Sequence, residues 1–196
     1  MKELIWKGNG FNHVTDEDDL IEKGYTLLMD RIKKAQEEEE KLSEKVKNQK
    51  AVLLSRMAKE TISVVSQIGL SLLRRGKQDT KGEIYDPEYY REKMIVLGKT
   101  NPVPYRPDNP SMPVVDQFCV LSEKGKFYEL MYSTDGFLTD SYLNPITPED
   151  VLQIYGEEPL LMLYHAMKDY LKDREDLIQA LQRVLDFILS PKVSQK

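Results

Sequence analysis

The fold is decided by residues 15–75, which read TDEDDLIEKGYTLLMDRIKKAQEEEEKLSEKVKNQKAVLLSRMAKETISVVSQIGLSLLRR. This stretch contains no proline and only two interior glycines. Thr15 precedes three acidic residues, which is typical of a capped helix start. Arg74 and Arg75 precede Gly76, which is typical of a helix end. The pattern predicts one very long helix, or a helical hairpin, over the whole stretch.

Apolar residues recur at heptad spacing in the first part of this stretch. The pattern is typical of a helix with one buried seam. Beyond Leu53 the seam moves on by one residue, as expected because a straight helix drifts roughly 20° per heptad. One chain can scarcely bury such a seam, so we expect a coiled-coil contact in a homodimer. The oligomer seam comprises Ile21, Tyr25, Leu28, Ile32, Ala35, Leu42 and Val46.

The width of the apolar face changes near residue 50. Residues 33–50 form a charged arm, whereas residues 51–73 carry apolar side chains on nearly all faces and are predicted to be core. About sixty helical residues span ~90 Å, whereas a compact chain of this length has a radius of gyration of only ~16 Å. The stretch therefore either projects as a rod that pairs with another chain or folds back near Asn48. Both alternatives remain open.

Residues 76–113 are predicted to form a short helix and a proline-rich connector. Asp86 followed by Pro87 resembles a helix cap with proline at the first helical position. Five prolines then fall within twelve residues, a density that excludes a regular helix or a central strand. The connector is interpreted as extended chain on the surface or, alternatively, as a partner loop presenting Tyr105 and Arg106.

Residues 114–144 are predicted to form a three-stranded antiparallel meander. Strands over 114–121, 127–132 and 138–143 alternate apolar and polar residues, and Asp135-Gly136 is a strong hairpin signal. Such a small sheet needs a helical layer on one face, which the 51–73 segment can supply. Cys119 is interpreted as a small buried core thiol rather than a nucleophile.

Residues 145–190 are predicted to form C-terminal helices, beginning at Thr147 as the cap and Pro148 as the first helical residue. Together with an N-terminal extension at residues 1–14, these segments predict a single domain. The expected fold class is α+β and predominantly α, with the C-terminal helices packed on a long N-terminal helix or hairpin and a small meander.

The inventory of reactive residues excludes several kinds of site. With one cysteine and two distant histidines, His13 and His165, the chain lacks zinc-finger, Cys-x-x-Cys and His-Glu-x-x-His patterns. It also lacks the glycine-rich loops that bind nucleotides. We therefore expect no cofactor and no metal, and the sequence favours a protein that is not an enzyme.

The leading functional hypothesis is a cytoplasmic, non-enzymatic interaction or scaffold protein that self-associates through long amphipathic helices. The single cysteine suits a reducing compartment, and no apolar run is long enough to span a membrane. One alternative is an enzyme that uses carboxylates and tyrosines, for which Tyr85, Tyr105, Asp116 and Asp140 are candidates. The other is a nucleic-acid-binding or regulatory protein, although the net charge of −5 opposes it. Its possible nucleic-acid contacts are Arg74, Arg75, Lys77, Tyr89, Tyr90 and Arg91.

Overall fold

The computed structural model describes residues 16–79 and 81–189, with side chains from Asp19 onward. The expected N-terminal extension at residues 1–14 and the Thr15 cap lie outside this range. The chain divides into two units, Met1–Val46 and Lys47–Lys196. In the described residues no helix has a segment long and apolar enough to cross a membrane.

The first helix, α1, spans Asp16–Glu60, with no break in the helix at Asn48. A second short helix, α2, spans Ile62–Ile68. Between the two helices the Thr61 hydroxyl donates to the carbonyl oxygens of Met57 and Ala58, at 2.9 and 3.2 Å. This bonding to the preceding turn is a common cause of a bend in a helix.

The prediction that the helix continues to residue 75 is wrong, because α2 ends at Ile68 and Gly69 caps it. The backbone of Gly69 is extended, and a Cβ atom there would lie 2.5 Å from the Val65 carbonyl oxygen and 3.1 Å from the Met94 amide nitrogen. Only glycine fits this close approach of two backbones. A strand follows directly.

Five strands form a closed antiparallel barrel, which corrects the predicted fold class of a predominantly helical α+β protein with a three-stranded meander. The three predicted strands exist, but two further strands precede them. The first strand pairs with both the second and the fifth, and this double pairing closes the barrel. The strands are β1 (Leu70–Gln78), β2 (Ile84–Thr100), β3 (Asp116–Ser122), β4 (Phe127–Asp135) and β5 (Leu138–Ile146).

The short helix predicted after Asp86 is also wrong, because this segment belongs to β2. Asp86 has a φ angle of +49°, which is uncommon for a residue with a side chain. Pro87 follows at a register shift between the pairs Lys77–Tyr85 and Arg75–Glu88. A strand tolerates proline at such an irregularity, because the ladder hydrogen bond is already missing there.

The barrel unit has two apolar clusters on opposite faces of the sheet. On the outer face, Leu121 and Phe127 pack with Leu54 of α1 and Val65 of α2. Inside the barrel, Met94, Val120 and Leu130 form the second cluster. Cys119 is fully buried in the outer cluster, which confirms its interpretation as a core thiol.

Two C-terminal helices complete the described chain: α3, Pro148–Tyr155, and α4, Glu158–Leu189. The predicted cap of α3 is confirmed, because the Thr147 hydroxyl accepts a hydrogen bond from the Asp150 amide at 3.2 Å. The Asp150 carboxylate in turn accepts from the Thr147 amide at 3.0 Å. The Thr147 hydroxyl also donates to the Asp150 carboxylate, at 2.7 Å, and this bond, followed by that from the Thr147 amide, lowers the pKa of Asp150.

Candidate interaction surfaces

The oligomer seam lies on α1, and all seven of its residues are exposed. Ile21 is 69% exposed, Tyr25 63% and Val46 50%, although each is apolar or aromatic. One further position of the same heptad pattern, Glu39, is charged. Monomeric proteins rarely leave a continuous apolar face open to water, and such faces are typical of contact sites.

A second exposed apolar face lies on α4. Between Leu177 and Leu189 the sequence has only two charged residues, Arg183 and Asp186. Its apolar residues recur at three- and four-residue spacing, which places them on one side of the helix. The exposed residues of this face are Leu177, Ile178, Leu181, Val184, Leu185 and Ile188, each between 48% and 65% exposed.

The possible nucleic-acid contacts fall on two paired strands, where acidic residues accompany the basic ones. Lys77 donates to the Asp86 carboxylate at 2.9 Å, a contact that raises the pKa of Lys77. Arg75 lies opposite Glu88 in the ladder. The proposed basic patch is therefore of mixed charge around these side chains, which weakens its attraction for phosphate.

The remaining members of this set do not share one environment. Tyr90 is half-buried, and its hydroxyl lies 3.1 Å from the Ser141 hydroxyl. Arg74, Tyr89 and Arg91 are exposed. Burial raises the pKa of Tyr90, with the Ser141 hydrogen bond acting in the opposite direction. Tyr90 thus serves the packing of the barrel.

In the proline-rich connector, Tyr105 and Arg106 have opposite environments. Tyr105 is 57% exposed, whereas Arg106 is only 6% exposed. The Arg106 guanidinium donates two hydrogen bonds to Asp108, at 2.9 and 2.6 Å, and one to Asp140 of β5, at 2.9 Å. It also lies 5.5 Å from the centre of the Tyr142 ring. The bond from Arg106 to Asp140 therefore attaches the connector to the barrel, whereas the Tyr105 side chain is accessible to solvent.

The candidate catalytic carboxylates both take part in ion pairs. Asp116 lies 2.6 Å from the Lys99 ammonium, and Asp140 binds Arg106. A general base needs a carboxylate whose basicity is adjusted for proton transfer. Instead, each of these carboxylates is already engaged by a neighbouring cation, Lys99 or Arg106.

A buried polar cluster on the outer face of the barrel was not predicted. Glu129 is 5% exposed, and its two carboxylate oxygens accept from the side-chain amides of Gln117, at 2.7 Å, and Asn144, at 2.9 Å. Gln117 in turn accepts from the backbone amide of Val103, at 2.9 Å. Nearby, burial and the Glu129 charge raise the pKa of Tyr155. The cluster supplies a hydrogen-bond donor to each oxygen of the Glu129 carboxylate, and it links the connector to β3, β4 and β5.

Comparisons of the chain with protein-family models, with curated proteins and with solved structures found no match.

Proposed function

We propose that this protein is a cytoplasmic, non-enzymatic interaction protein that self-associates through its long amphipathic helices. The observation that supports the proposal most is the exposure of the whole oligomer seam on α1. An amphipathic helix gains most of its stability by packing its apolar face. A second copy of the same chain offers a face of the same length and spacing.

The chemistry of the other surfaces supports a binding role rather than a catalytic one. The basic residue Lys77 and the carboxylates Asp116 and Asp140 each have an oppositely charged partner within 3 Å. The buried carboxylate Glu129 is held by amides. The apolar faces of α1 and α4, by contrast, are exposed to solvent.

Analytical ultracentrifugation across the micromolar range tests the proposal. The unmodified protein should sediment as a dimer, and Leu28→Glu should convert it to a monomer because a charge enters the seam. The matched control is Leu27→Glu. Leu27 is equally exposed, at 59% against 54%, but its heptad position lies off the seam. A protein that is monomeric throughout, or a Leu27→Glu variant that dissociates as readily, would overturn the proposal.

The contribution of α4 is measured in the same experiment. Leu181→Glu places a charge in the middle of the α4 face, whereas Gln179→Glu places one on another side of that helix. If α4 takes part in self-association, only Leu181→Glu lowers the association constant. If neither variant changes it, the α1 seam alone supports the dimer.

A further inference from the structure

Resting on the proposed function, we infer that the partner on the α1 seam is a second copy of this chain in antiparallel orientation, with Arg31 of each copy facing Glu38 of the other. The inference concerns residues 21–46, which lie wholly within the first unit. It follows from the heptad positions of the seam and from the charges beside it.

The seam residues alternate between the two core positions of a heptad. Tyr25, Ile32, Glu39 and Val46 occupy the first core position, called a, and Ile21, Leu28, Ala35 and Leu42 occupy the second, called d. Parallel pairing of two copies puts each residue opposite itself, whereas antiparallel pairing puts a opposite d. The two orientations therefore predict different neighbours for Glu39.

The position of Glu39 opposes the parallel orientation. In a parallel pair the two Glu39 carboxylates face each other in a core layer, where like charges with little water around them repel strongly. In the antiparallel register that matches Ile21 with Val46, Glu39 instead faces Leu28 of the second copy. The two carboxylates then lie in separate layers.

The same antiparallel register places large side chains opposite complementary ones. Tyr25 meets Leu42 of the second copy, and Ile32 meets Ala35. Because the arrangement has twofold symmetry, each of these contacts occurs twice. Six of the eight core positions thus face an apolar or aromatic residue, and in the remaining pair Glu39 packs its methylene groups against Leu28 with its carboxylate at the edge.

The flanking charges agree with this register. In an antiparallel pair, residues at position g lie beside position g of the other helix. Arg31 and Glu38 are both g residues, and both are exposed. The register brings each Arg31 next to a Glu38, giving two ion pairs of opposite charge. A parallel pair would instead place Arg31 beside Gln36 and Glu38 beside Ser43, without charge complementarity.

Spin labels test the orientation independently of the dimer itself. In this register, residue 23 of one copy and residue 23 of the other are offset by about twenty-one residues along the helix. Two spin labels at Lys23→Cys should therefore be about 30 Å apart along the helix axis. A label at Lys34→Cys lies beside the twofold axis and should give a short distance. The native Cys119 is fully buried and should remain unlabelled, which unmodified protein verifies.

Charge exchange tests the register. Arg31→Glu and Glu38→Arg should each weaken association about tenfold, because two attractive pairs become repulsive. The double variant should restore the original association constant. Lys33→Glu, at an outward position, is the control and should leave the constant almost unchanged.

The outcomes separate this inference from the proposed function. If both labels give short distances, the antiparallel orientation is overturned. If Leu28→Glu still dissociates that dimer, self-association through the seam stands. A double variant as weak as the single ones would overturn the register. A chain that never dimerises would overturn the proposed function together with the inference.

Discussion

The two halves of α1 both carry apolar residues at heptad spacing, but in opposite surroundings. In the second half Ala51, Leu54 and Ala58 are at most 1% exposed, whereas in the first half Ile21 and Leu28 are 69% and 54% exposed. Spacing alone does not distinguish the two halves. The comparison shows that periodicity determines where an apolar face lies, and that the strands and other helices determine whether it is covered.

The largest expected effect is the difference in stability between two leucine truncations, one in each half of α1. Leu54→Ala should lower the free energy of unfolding by about 3 kcal/mol, because it leaves a cavity in the outer cluster. Leu28→Ala should change it by at most about 0.5 kcal/mol at dilutions where the chain is monomeric. Urea denaturation followed by circular dichroism measures both. Equal losses in the two variants would show that the first half is also covered within one chain.

A second test compares a glutamate from each region. Glu129→Ala should lower the free energy of unfolding by about 2 kcal/mol, because the amides of Gln117 and Asn144 lose their acceptor in a buried site. Glu39→Ala should scarcely alter the stability of the monomer and should strengthen association, since it removes a charge from the seam. Denaturation measures the first effect and sedimentation the second. A mild Glu129→Ala phenotype would mean that water reaches the cluster.

How much of this could be predicted from the sequence depends on how local each signal is. The cap at Thr147 and the hairpin at Asp135-Gly136 are encoded within a few residues, and both were predicted. Closure of the barrel depends on pairing Arg75 with Asp140, a contact between residues far apart in the chain. Apolar residues just after Gly69 fit a helix or a strand equally well, so β1 was missed.

The sequence contains only a weak signal of the buried polar cluster around Glu129. Phe127, Glu129 and Met131 alternate on one side of β4, so a carboxylate stands where the pattern predicts an apolar residue. That exception could have indicated a buried polar site. Its partners, Gln117 and Asn144, come from other strands, and no local spacing identifies them.

A third prediction concerns acid sensitivity within the covered region. The Arg106 guanidinium holds the pKa of Asp108 below its ordinary value near 3.8. A carboxyl with a lowered pKa in the folded state stabilises the fold above its unfolded-state pKa, and this stabilisation is lost as the pH falls through the folded-state value. Arg106→Met should cost about 1–2 kcal/mol at neutral pH. Below about pH 4 the difference between the two proteins should shrink.

Chemical denaturation between roughly pH 2 and pH 7 measures this stability difference, because that interval brackets the ordinary pKa range of carboxyl groups. Tyr105→Ala is the neighbouring control and should leave the acid profile unchanged, because Tyr105 is exposed. If the difference between Arg106→Met and the unmodified protein stays constant down to the lowest pH, the ion pair with Asp108 does not contribute to stability.

The smallest expected effect concerns Cys119, whose thiol should not react with a disulfide reagent while the barrel is folded. Burial, and then the Glu129 charge, raise the pKa of Cys119 to about 12. Reaction with a disulfide reagent near neutral pH requires a thiolate and access, so it should occur only as fast as the barrel unfolds. A thiol introduced at Leu28→Cys should react at once in dilute protein. Rapid labelling of Cys119 would show that the outer cluster opens readily.

Closure of the barrel has a consequence for how copies of this chain can associate. β1 pairs with β2 on one side and with β5 on the other, and the Ser141 hydroxyl bonds to the backbone carbonyls of Leu73 and Arg74, at 3.0 and 2.8 Å. No strand in the described residues has an entirely free edge. Adding a strand from another molecule, which is the route to open-ended β assembly, is therefore obstructed. In the proposed dimer, side-chain contacts take the place of sheet extension, and such contacts can end at a defined number of copies.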